Sequence, residues 1–123
     1  MGKKKNFNVE DTLIKIGRLF IKKGYNGTSL EDIVQSTKLL RGSLYATFGS
    51  KEGMFVEALK LGLKRDDKEL KWGLLMVAML EVTSRSKRVY NIVQSWYMEH
   101  QDEQIAEKLG LELLKNSGIV KKG

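Results

Sequence analysis

The stretch TSLEDIVQSTKLLRGSLYATF, residues 28–48, decides the fold. Thr28 or Ser29 can cap a helix, and Asp32 stands three residues after Ser29, in the place where a capping box carries its returning acid. Leu30, Ile33 and Val34 form one apolar stripe, and the pattern runs on through a few polar residues to Leu39. A further short helix, about Arg41 to Thr47, buries Leu44 and then Phe48. Two short helices joined by three or four residues are what insertion into a major groove requires. On that reading Leu30 to Ser36 braces across the backbone, and Arg41 to Thr47 presents its first turns to base edges.

On the N-terminal side, Asn8 followed by Glu10 and Asp11 supplies a cap and first-turn acids for a helix that starts near Val9. Leu13, Ile16, Gly17 and Phe20 recur at helical spacing, and Lys22-Lys23-Gly24 closes the helix with cations at its negative end. Lys3 to Lys5 read as a basic arm, either a solubilising tail or a phosphate or minor-groove contact. On the C-terminal side Gly49 and Ser50 break and cap, and Lys51 opens a fourth helix with Phe55, Leu59 and Leu63 on one face.

The run from Leu13 to Leu59 resembles the N-terminal DNA-binding domain of TetR/AcrR-type regulators. The residues that carry the likeness are Phe20, Gly24-Tyr25, Thr28-Ser29, Ile33, Gly42-Ser43-Leu44-Tyr45, Phe48 and Ser50-Lys51-Glu52. The resemblance implies that Tyr45 reaches a phosphate or a thymine methyl, and that Lys51 holds a phosphate jointly with the free amides of its helix. It implies a guanine contact by Arg41 through O6 and N7, close backbone approach at Gly42, and hydroxyls offered by Ser43 and Thr47. Thr28 or Ser29 would do the same at the entrance of the bracing helix. Taken alone, Tyr45 also fits a solvent-facing ring, and Arg41 and Lys51 fit solvated charges.

Three positions depart from the family pattern. Lys38 stands in the turn where Gly is usual, at a cost on the order of 1 kcal/mol if it takes a positive φ. Leu40 replaces the usual hydroxyl cap of the reading helix. Glu31 occupies a bracing-helix position that in relatives carries a base-reading Arg, where a carboxylate accepts from cytosine N4 or repels phosphate.

Beyond residue 70 the pattern changes. Trp72 to Val82 is apolar on nearly every side, which predicts a helix packed all round. Ser84 or Ser86 can cap the next helix, on which Val89, Ile92, Val93 and Trp96 form a stripe. The stripe weakens from Glu99 to Gln104 and resumes at Ile105, Leu109 and Leu113, so Ser86 to Asn116 is one long helix or two joined near Gln101. The expected fold is all-α: a helix-turn-helix three-helix domain followed by a short helical dimerisation domain. Its divisions are 1–50 for the arm and DNA-binding domain, 51–70 for a connecting helix and 71–123 for the C-terminal helices.

Relatives in the family sense ligands in the second domain. Trp72, Met76, Met79 and Trp96 are the candidates to line an effector site here, though a Met and aromatic stripe at helical spacing is more often core or interface. Dimerisation is expected from both halves, because a symmetric pair covers the apolar helix and spaces two reading helices about one DNA turn apart.

Charge and composition agree. The 123 residues carry net +7, with net +6 in residues 1–68 and +1 in 69–123, so the basic half is the one suited to an anionic partner. No cysteine and one histidine, His100, exclude disulfides, thiolate chemistry and a two-histidine metal site within one subunit. Asp66-Asp67 and Asp102-Glu103 sit in charged segments and read as solvated, so an enzyme is not expected, and no cofactor is expected either. The N-terminus lacks a secretion signal and Leu74 to Leu80 is too short to span a bilayer, which predicts a cytoplasmic protein without a membrane partner. The expected function is a homodimeric repressor binding double-stranded DNA at a palindromic operator. The alternative is an interaction protein that heterodimerises with a full-length regulator through residues 72–116.

Overall fold

The computed structural model describes residues 7–121, and the arm at Lys3 to Lys5 lies outside them. The chain forms α1 (Val9–Lys23), α2 (Leu30–Thr37), α3 (Arg41–Phe48), α4 (Lys51–Lys64) and α5 (Lys68–Val77). A π-helical turn (Ala78–Val82), α6 (Lys87–Glu99) and α7 (Ile105–Asn116) follow. The described residues contain no strand, and the fold is all-α.

Side-chain caps mark the starts of α1, α2, α4, α5 and α6. Asn8 Oδ1 accepts from the Asp11 amide at 2.9 Å, Ser50 Oγ from Gly53 at 2.9 Å and Asp67 Oδ1 from Leu70 at 3.1 Å. The capping box expected at α2 is complete: Ser29 Oγ accepts from the Asp32 amide at 3.0 Å, and the Ser29 amide donates to Asp32 Oδ2 at 2.9 Å.

That amide, joined by the Lys23 ammonium at 3.0 Å and the Ser29 hydroxyl, holds the Asp32 carboxyl down from 3.8 to about 2. A carboxyl whose pKa is lower in the folded chain stabilises the fold above its ordinary pKa, and the contribution fades as pH falls through the folded value. The α2 start should therefore hold at pH 4 and loosen toward pH 2. An NMR titration of the Asp32 side-chain carbon should find its midpoint near 2, and a midpoint near 4 would contradict the box.

The core begins with the three-helix unit, where Ile16, Phe20, Ile33, Leu44, Phe55 and Leu59 are fully buried. It continues without a break into the second half. Leu70, Leu74 and Leu75 of α5 pack on α1 and α4, and Gly17 and Gly73 permit the approach. A Cβ at Gly17 would stand 3.0 Å from Leu70 Cδ1, and one at Gly73 would stand 2.6 Å from Ile21 Cδ1. α7 runs along α5, and its Asn116 Nδ2 donates to the Ile21 carbonyl of α1 at 3.1 Å.

The second half departs from expectation in one place and takes one of two open alternatives in two others. Trp72 to Val82 is not packed all round: residues 72–78 and Val82 are buried, but Met79 is 36% and Leu80 64% exposed. The helix widens there, with the Thr83 amide reaching back five residues to the Ala78 carbonyl at 2.9 Å. The extra residue re-aims the apolar run, so two of its side chains leave the core. Ser86 rather than Ser84 caps α6, accepting from Val89 at 3.2 Å. The stretch to Asn116 is two helices, broken at His100 and restarted after Gln104, which takes φ 54°.

Candidate nucleic-acid interface

α2 and α3 are held by their inner faces. Ile33 and Leu44 are fully buried beneath α1 and α4, which turns the N-terminal ends of both helices outward. The turn between them closes tightly: the Lys38 amide donates to the Val34 carbonyl at 2.8 Å, and the Leu39 amide to Thr37 Oγ1 at 3.3 Å. Lys38 adopts φ 64° and ψ 22°, the left-handed conformation that its place in the turn predicts. Leu40 precedes α3, and among the described residues no side chain caps it, so the first-turn amides of α3 are left without a side-chain acceptor there, the arrangement that suits an anion.

The expected contact residues fall into three groups. Tyr45 (44% exposed) and Gly42, whose Cβ position has no atom within 4 Å, face outward from α3. Ser43 and Thr47 are half-buried on its flanks. Arg41 and Lys51 are cations held by neighbours. The Arg41 guanidinium donates through Nη2 to Glu31 Oε1 at 2.9 Å, joining the first turns of α3 and α2 in an exposed ion pair. The Lys51 ammonium lies 4.5 Å from the centroid of the Tyr25 ring. Burial pulls its pKa below the usual lysine range, with Glu81 opposing the shift and Arg85 adding to it.

Thr28 does not stand where a phosphate contact needs it. It is fully buried, and its hydroxyl donates at 2.6 Å to the Gly24 carbonyl at the end of α1, so it is not on offer to a phosphate. Ser29 is exposed, and its oxygen is engaged as the α2 cap.

The four residues expected around an effector are not brought together. Trp72 and Trp96 pack edge to face at 5.6 Å in the core, and His100 stacks on Trp96 at 5.4 Å. Met76 and Met79 border a different place, an apolar groove of about 210 Å³ shared with Leu80, Leu109, Gly110 and Leu113. Among the described residues no cluster of His, Asp and Glu is arranged to hold a metal, and no helix is long and apolar enough to cross a membrane.

Sequence reasoning missed the contacts that seat the helix-turn-helix on the second half. Glu81 of the π turn accepts from the Asn26 amide at 2.9 Å. Glu52 of α4 accepts from the Ser86 hydroxyl and pairs with Arg88 at 3.5 Å. The Ser86 bond, outweighing burial and assisted by Arg88, keeps the Glu52 carboxyl below the usual range. These partners lie 34 to 55 residues apart, so no spacing rule announces them.

Comparison with known proteins points the same way. Residues 17–58 match the family described as bacterial regulatory proteins, tetR family. An uncharacterized HTH-type transcriptional regulator of Bacillus subtilis, YezE, is 38% identical over 60 residues, covering 49% of this chain and 31% of the relative. The HTH-type transcriptional regulator QacR of Staphylococcus aureus is 36% identical over 66 residues, 53% of this chain and 32% of its own length. The Escherichia coli repressor ComR is 43% identical over 54 residues, 44% and 26% respectively. The chain thus spans about a third or less of each of these relatives, and no solved structure matches it.

Proposed function

We propose, from the match of residues 17–58 to the tetR family of bacterial regulatory proteins, that the chain is a DNA-binding transcriptional regulator, a homodimeric repressor of a palindromic operator. The observation that carries the reading is the outer face of α3, where Tyr45, Gly42 and uncapped amides are exposed while Leu44 anchors the helix from beneath. Residues 1–50 recognise DNA, 51–70 connect, and 71–123 pair two copies. Support for pairing comes from the groove at Met76, Met79 and Leu109 and from the exposed Leu80 and Leu113 beside it, an apolar surface suited to a self-complementary contact. Pairing of that kind sets two α3 helices about 34–36 Å apart.

Binding should be salt-dependent, and Tyr45→Ala and Lys51→Ala should each weaken it by about tenfold. The lysine variant should also lower the salt slope by about one, because one phosphate neutralisation is lost. Fluorescence anisotropy against a duplex selected from a genomic library measures both. Affinity no better than for a scrambled duplex would reject the reading.

A further inference from the structure

The ion pair between Glu31 and Arg41 joins two elements at the outer edge of the helix-turn-helix, and neither residue has another charged partner among the described residues. Both side chains are more than half exposed, at 61% and 59%, and an exposed ion pair contributes little to stability. Its arrangement matters more. Nη2 of Arg41 bears two N–H groups and gives one to Glu31 Oε1, leaving its second N–H and those of Nη1 in the same plane. Glu31 Oε1 retains a lone pair, and Oε2 is free of any hydrogen bond among the described residues.

The coupled pair therefore carries guanidinium donors directly beside a carboxylate acceptor, so it can set donor, donor and acceptor side by side. A G·C pair shows the complement in the major groove: acceptors at guanine N7 and O6, then the donor at cytosine N4. An A·T pair opposes both, since adenine N6 is a donor facing the guanidinium and thymine O4 an acceptor facing the carboxylate. A C·G pair reverses the row and fails at both ends.

Resting on the DNA-binding reading above, we propose that Glu31 and Arg41 act as one unit that reads both bases of a single G·C pair in a fixed orientation in each half-site. In this role Glu31 holds the guanidinium flat before DNA arrives and accepts from cytosine N4 once it does. It also spoils unspecific binding, because a carboxylate at that edge is repelled by phosphate wherever no cytosine meets it.

Selection from a random duplex library with the full chain, followed by anisotropy titrations, tests this. One G·C pair per half-site should be fixed in orientation, and its change to A·T or C·G should lose on the order of tenfold to a hundredfold in affinity. Replacing that guanine by 7-deazaguanine should give a loss in the same direction. Glu31→Ala should flatten the discrimination while tightening binding to scrambled DNA, whereas Arg41→Ala should flatten it while weakening that binding. The double variant should lose no more discrimination than either single one, as residues acting as a unit are not additive.

Losses that add, a wild-type chain indifferent to G·C at every position, or Glu31→Ala leaving scrambled-DNA affinity unchanged would each overturn the proposal while the DNA-binding reading stands. A wild-type chain that prefers no duplex at all overturns both.

Discussion

A methyl group added at residue 53, in the variant Gly53→Ala, is expected to cost about 3 kcal/mol or more and to abolish the DNA binding proposed above. Gly53 lies in the first turn of α4, buried under the end of α3, and its amide donates to the Ser50 cap. A Cβ there would sit 2.0 Å from the Phe48 carbonyl oxygen and 3.2 Å from its carbon. The obstacle is backbone, so no rotamer change relieves it. Either α3 lifts away from α4 or the first turn of α4 unwinds, and both move the helix that carries Tyr45. Denaturant unfolding and titration of the same variant with the duplex selected from the library check the two halves of the expectation. A loss under 1 kcal/mol with intact binding would show that the α3–α4 junction can yield.

The second large effect concerns the ring cluster beneath the interface. Phe55→Ala should destabilise the chain by about 4 kcal/mol, the range for emptying a buried phenyl site. Phe55 is fully buried, edge-on to Phe20 at 5.2 Å and to Tyr25 at 5.4 Å, while Phe20 and Tyr25 stack at 5.5 Å. Loss of one ring leaves the other two without an edge partner and opens a void between α1 and α4. Phe55→Leu keeps most of the volume and should cost less than about 1.5 kcal/mol. Thermal unfolding of the two variants separates cavity from chemistry: equal losses would mean that the aromatic geometry itself is indispensable.

Much of the first half was legible residue by residue. Asn8, Ser29 and Ser50 cap where short polar side chains precede apolar periodicity, and Lys38 takes the positive φ its turn demands. These are local rules, satisfied within four residues. The failures were non-local or degenerate. Thr28 and Ser29 are both hydroxyl residues at a helix start, and only the folded loop shows that one faces back to Gly24. The pairing of Arg41 with Glu31 crosses a turn over ten residues. In the run from Leu74 to Leu80 every residue is apolar, so nothing marks which side chains face out once the π turn shifts the phase.

The close seating of α5 on α1 has a thermodynamic consequence. With one uninterrupted core, the chain has no boundary at which one half can melt while the other keeps its packing, and opening should be all-or-none. A molecule that grips α6 or α7 only in the folded chain therefore shifts the opening equilibrium of α3 as well, by about 2.7 kcal/mol when present at a hundredfold above its dissociation constant. α3 would register an occupant of the far side as slower amide exchange, without changing shape.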